Sequence, residues 1–119
     1  MATIPAVIQS GSEGVGAGSR IITWTGLTTA NNAGDYIDVT GWLIASVDWQ
    51  GVFGAAGNFA LNGTNFRVSP PVGTALSVFT ATAVGLISPS PLSCALIKPV
   101  LASGGDGTTL VNCAVMLVR

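Results

Sequence analysis

The sequence has no histidine, and only nine of its 119 side chains are charged: five Asp/Glu and four Lys/Arg. Without histidine it lacks the commonest general base and the commonest metal ligand, and Ser-His-Asp and Cys-His arrangements are excluded with it. Charged residues make up 8% of the chain, against roughly 25% in an average soluble domain. Four scattered cations do not form the clustered basic surface that displaces counterions from nucleic acid, so nucleic-acid binding is excluded. No run of about 20 apolar residues is present to make a membrane-spanning helix. Three Trp, one Tyr and four Phe would make only thin aromatic girdles for a small outer-membrane barrel, so a membrane partner is not expected. Strong helix formers are nearly absent, and no capped segment repeats with the 3.6-residue helical period.

The remaining acids offer little chemistry. Asp35 and Asp38 could flank a calcium ion, but Asp35 follows Gly34 in a loop where Asp serves backbone turns. Asp106, in GGDG, reads the same way. Nothing pairs these acids as a glycosidase requires. Cys94 and Cys113 lie 19 positions apart without a CxxC motif, which is not zinc spacing. With no positive charge over Met1–Gln9, a signal peptide is not expected. The chain is therefore expected to be made in a cytoplasm, with both cysteines as reduced, apolar thiols rather than a disulfide. No enzyme activity, cofactor or metal is expected.

The residues that are present read as short strands between turns. Arg20–Thr25, Tyr36–Val39, Trp42–Gln50, Asn58–Asn62, Asn65–Ser69, Ala75–Thr80, Thr82–Ile87, Cys94–Leu101 and Thr108–Val118 are strand candidates, broken by Gly, Pro and Asn clusters. Trp42–Gln50 alternates partly, with Leu43, Ala45, Val47 and Trp49 on one face and Ile44, Ser46, Asp48 and Gln50 on the other. Pro99 suggests an edge or a bend. The last strand carries Val111, Cys113, Val115 and Leu117 on one face and Leu110, Asn112, Ala114, Met116 and Val118 on the other. Both faces are largely apolar, so one is expected to meet the core and the other a partner. The expected fold is an all-β, single-domain β-sandwich over residues 20–119, preceded by an extended arm over residues 1–19. The arm's QSGSEGVGAGS stretch cannot order itself by burying its own side chains, and a neighbouring subunit is the expected support.

A chain of mid-range hydrophobicity, 49%, and very little charge is expected to associate. Trp24, Trp42 and Trp49 could form a sugar-stacking platform. Trp49 reads as core from its neighbours, and Trp42, after a Thr-Gly turn, is the better exposed candidate.

Several stretches stand in a recognisable order. They are WTGL at 24–27, SVDWQGVFGAAG at 46–57, FALNGTNF at 59–66 and KPVLASGGDGTT at 98–109, followed by an apolar strand and Arg119. Over residues 20–119 this order resembles that of capsid decoration (cement) proteins of tailed bacteriophages. Two departures are SPSPLSC at 88–94, where the pattern has acidic and aromatic residues, and GTNF, where it has a G-S-N-D-G turn. The resemblance implies a jelly-roll-like sandwich on the exterior of a virion. It would bind the major capsid protein and itself, as a homotrimer or homodimer. Trp42, Phe53, Phe66, Phe79 and Met116 are the candidate anchors, because aromatic and flexible apolar side chains dominate buried contacts. Two rival readings are a carbohydrate-binding or host-recognition module and a tail or neck component of the same kind of particle.

Overall fold

A computed structural model describes residues 3–9, 18–68, 70–88 and 92–119. The strands are β1 (Val7–Ile8), β2 (Ser19–Leu27), β3 (Ile37–Asp38), β4 (Leu43–Val52), β5 (Asn58–Thr64), β6 (Thr74–Ala81), β7 (Gly85–Ile87), β8 (Leu96–Ser103) and β9 (Leu110–Val118). They form a five-stranded sheet, β1-β2-β9-β4-β7, and a four-stranded sheet, β3-β8-β5-β6. Every pairing between these strands is antiparallel. Strands β2 to β9 pair as 5 with 6, 4 with 7, 3 with 8 and 2 with 9. That is one long hairpin wrapped across two sheets, the double Greek-key order of a jelly roll. The expected all-β sandwich is therefore the observed fold.

The apolar residues of the two inner faces meet as the core. Ile22, Trp24 and Leu27 of β2, Ile44, Val47 and Trp49 of β4, and Val111, Cys113, Val115 and Leu117 of β9 line one side; Phe59, Leu61, Phe79 and Ile97 line the other. Trp49 and Phe59 meet tilted with ring centroids 5.8 Å apart, and Phe53 meets Phe59 edge-on at 5.3 Å. Such aromatic pairs add about 0.5–1.5 kcal/mol each beyond the area they bury.

Two bulges set which residues face this core. In β4, Ile44 lies opposite Leu117 but Ser46 lies opposite Met116, which leaves Ala45 as an extra residue. The extra residue inverts the alternation. Ile44 is therefore buried with Val47 and Trp49, and Leu43 turns outward with 41% exposure. This corrects the expectation that Leu43 and Ala45 share the face of Trp49. In β2 the register shifts between Trp24 and Leu27. Gly26 takes a φ of +87° there, a conformation that favours glycine.

The segment Asn65–Val68 is not a strand, contrary to expectation, and Ser69 lies outside the described residues. The Thr64 hydroxyl accepts the Phe66 N–H at 3.0 Å, and Asn65 Oδ1 accepts the Ala95 N–H at 3.0 Å. Side chains here take the bonds that a ladder would have made. Pro99 faces Leu61 across β8 and β5, and its carbonyl accepts the Gly34 N–H at 2.8 Å on the other flank. The missing N–H of Pro99 thus falls on the sheet's outer side, where it costs no bond to β5. Of the arm, residues 3–9 dock on their own domain: Val7 pairs with Thr23, and the Ile4 N–H donates to the Ala33 carbonyl at 3.0 Å. Residues 10–17, the Gly-rich part expected on a neighbour, lie outside the described residues.

Gly34 is wedged where β8 meets the loop before β3. A Cβ there would stand 2.7 Å from Trp24 Nε1 and 2.8 Å from Pro99 Cδ. The same indole N–H donates to the Asp35 carbonyl at 3.0 Å. Gly34→Ala is therefore expected to displace Trp24 and to destabilise the fold by about 1–3 kcal/mol. Urea unfolding followed by tryptophan fluorescence would read this as a lower midpoint at unchanged slope.

Candidate functional site

The outer face of the five-stranded sheet is built by the alternation that fills the core. Because Val111, Cys113, Val115 and Leu117 point inward, Leu110, Asn112, Ala114, Met116 and Val118 point out. The register then places Ile21 and Ser46 beside Met116, Thr23 and Asp48 beside Ala114, and Val52 beside Leu110. Leu86 of β7 flanks Asp48 on the other side. Leu86, Val52, Leu110, Val7, Leu43 and Met116 are 66%, 54%, 52%, 51%, 41% and 38% exposed, respectively. Scattered surface apolar residues are ordinary, whereas a patch of them marks an interaction site; here Asn112 and Gln50 stand between the Leu110 and Val52 end and the Met116 end. Among the outward positions of these five strands, Asp48 carries the only ionisable side chain. It accepts a hydrogen bond from Gln50 Nε2 at 2.8 Å.

The five anchor candidates divide. Met116 lies in this face. Phe66, 73% exposed, sits instead on the loop after β5 beside Val72, at the mouth of an open groove of about 380 Å³. Trp42, Phe53 and Phe79 are corrected: they are 7%, 8% and 0% exposed, so no partner reaches them. Phe53 follows the end of β4 between Gly51 and Gly54, both at positive φ, and packs edge-on against Phe59. Phe79 points inward from β6. Trp42 lies beneath two guanidiniums, with the Arg119 and Arg20 carbons 4.0 and 5.0 Å from its ring centroid. With Trp24 and Trp49 also buried, no indole face is open for stacking on a sugar. Leu110 was legible as a partner-facing residue from the alternation of β9. Leu43 was not, because the Ala45 bulge is invisible to a period-of-two reading, and Leu86 needed the β4–β7 register.

Among the described residues, the acids other than Asp48 are occupied in turns and pairs. Arg67 forks onto Asp38, with Nη2 3.1 Å from Oδ1, and the Thr40 N–H donates to the same oxygen at 2.9 Å. The Arg67 bonds, then those from Thr40, hold the Asp38 carboxyl well below the usual range. Thr3 donates its hydroxyl to Asp35. Asp106 accepts the Thr108 hydroxyl at 2.6 Å, the Thr108 N–H at 2.8 Å and the Ala55 N–H at 2.9 Å, and these bonds lower its pKa. Among the described residues, no group of three His, Cys, Asp or Glu could hold a metal ion. The thiols are not activated. Burial pushes Cys113 far up, with Asp48 adding to it; burial also raises Cys94 against an opposing bond to the Thr64 backbone.

Asp38 and Asp106 both have carboxyl pKa values lowered by the fold. Their stabilising contribution is therefore fully present above the unfolded value of about 3.9 and is lost as pH falls through the folded values. Melting temperature is expected to decline on acidification below about pH 4, and a double Asp38→Asn, Asp106→Asn variant is expected to show a shallower decline. Parallel curves for variant and parent would rule out both carboxylates as the cause.

No protein-family model, curated protein or solved structure matches the chain.

Proposed function

We propose that the chain is a structural subunit of a tailed-phage virion, a decoration protein that binds the outside of the capsid and stabilises contacts between major capsid protein subunits. The carrying observation is the apolar, almost uncharged outer face of the five-stranded sheet. Its exposed Leu and Met side chains, set among Thr, Ser and Asn, suit burial against another protein. Neutral polar groups at such an interface hydrogen-bond without the cost of desolvating charges. The residue order quoted above supplies the capsid as partner. The jelly roll is compatible with this reading, because capsid domains use it, but so do lectins, and fold alone does not assign function.

Acting as a cement requires binding to the assembled lattice only. The lattice is then stabilised by mass action, in proportion to the logarithm of ligand concentration over Kd. Self-association into a dimer or trimer would multiply the bridging contacts through effective concentration. Shells carrying the chain are expected to survive heating and low salt better than shells without it. Leu110→Asp is expected to abolish that protection while leaving the isolated domain's melting temperature within a few degrees, since Leu110 is 52% exposed. Equal survival of shells with and without the chain would end the cement reading.

A further inference from the structure

Among the described residues, the outward positions of this sheet carry one charge, Asp48, and the surroundings of that charge say what covers it. Asp48 lies at a shallow pit of about 130 Å³ lined by Ile21, Ser46, Leu86, Ala114 and Met116. A partner laid on this face would bury the carboxylate among apolar side chains, which is costly unless a cation meets it. The chain's own cations are already engaged: Arg67 with Asp38, Lys98 over the Tyr36 ring at 4.7 Å, and Arg20 and Arg119 over Trp42. Among the described residues, a second copy therefore has no lysine or arginine to offer without breaking an internal contact. A twofold pairing through this face would moreover set the same patch against itself and bring two Asp48 carboxylates into one dry interface.

We infer that this face docks a different protein, through an apolar surface bearing a single lysine or arginine that enters the pit and pairs with Asp48. The inference deepens the proposed function: it assigns this face to the foreign subunit and places any self-association elsewhere on the molecule. Such a pair, desolvated at the centre of a contact, acts mainly on the dissociation rate.

Two measurements on the whole chain test it. In the first, purified chain is bound to shells stripped of it, with wild type beside Asp48→Asn, Asp48→Lys and Ala75→Lys, an exposed position on β6. Matching circular dichroism and melting would establish that each variant is folded. Asp48→Asn is expected to weaken binding by about thirtyfold or more, Asp48→Lys to abolish it, and Ala75→Lys to leave it unchanged. Wild-type affinity in Asp48→Lys would overturn the inference while leaving the capsid reading intact.

The second measurement needs no shell. Sedimentation velocity of the purified chain is combined with the rate of Met116 oxidation by peroxide, which reports whether this face is covered. The expected result is oxidation at one rate at every concentration, whatever the oligomer. Oxidation that slows as a wild-type oligomer forms would show a second copy on the face and overturn the inference. If wild type fails to bind shells, the capsid reading falls, and the oxidation result alone decides the inference.

Discussion

The whole structure depends on where its last strand goes. β9 lies between β2 and β4, with Val118 beside both Ser19 and Leu43 and Val111 beside both Leu27 and Gly51. It is the central strand of the five-stranded sheet, yet it is the last of the nine in the chain. Until it inserts, β2 and β4 are two unpaired edges, and the inner faces of the two sheets cannot close on one another. A strand so placed carries two duties at once. Its inward residues, Val111, Cys113, Val115 and Leu117, are at most 1% exposed, and its outward residues form the middle of the candidate docking face. The pairing also joins residues far apart in sequence, which makes its closure entropically demanding.

That double duty explains which features were legible in the sequence. β9 reads correctly because it is regular, and period-two alternation sorts its residues without knowledge of the partners. The sandwich class and most strand positions follow from the same kind of local signal. The faces of β4 and β2 do not. One extra residue at Ala45 puts Leu43 outside and Ile44 inside, and a second irregularity near Gly26 rephases Leu27. A bulge is defined by the register of two strands, so its position is a property of the pair and is absent from either strand alone.

Aromatic anchors misread for a related reason. Phe53 sits among glycines and small residues that look like a loop, Phe79 lies on a strand whose inward phase its own sequence does not mark, and packing between the two sheets is what encloses them. Trp42 follows a Thr-Gly turn that suggests exposure. Arg20 and Arg119, 22 positions before it and 77 after it, are brought over its ring only when β2 and β9 pair. Phe66 and Met116 remain open because the first lies on a loop stiffened by side-chain to backbone bonds and the second on the outward phase of β9.

The small stock of charge acquires a structural account once these placements are known. Arg67 and Asp38 fasten the loop after β5 to the end of β3, Asp106 caps the turn before β9, and Lys98, Arg20 and Arg119 lie over aromatic rings. Each of these charges has an intramolecular task, and none is spent on covering the sheet face. A face left with hydroxyls, amides, methyl groups and one carboxylate costs little to desolvate, which favours burial, but it also discriminates weakly among apolar partners. Discrimination then falls to Asp48. A carboxylate buried without a cation is strongly unfavourable, so in the proposed docking Asp48 would disfavour apolar surfaces that lack a cation, including a second copy of this face. In the docking proposed above, the scarcity of charge and its placement would act together, with the neutral area supplying the contact and Asp48 selecting what may make it.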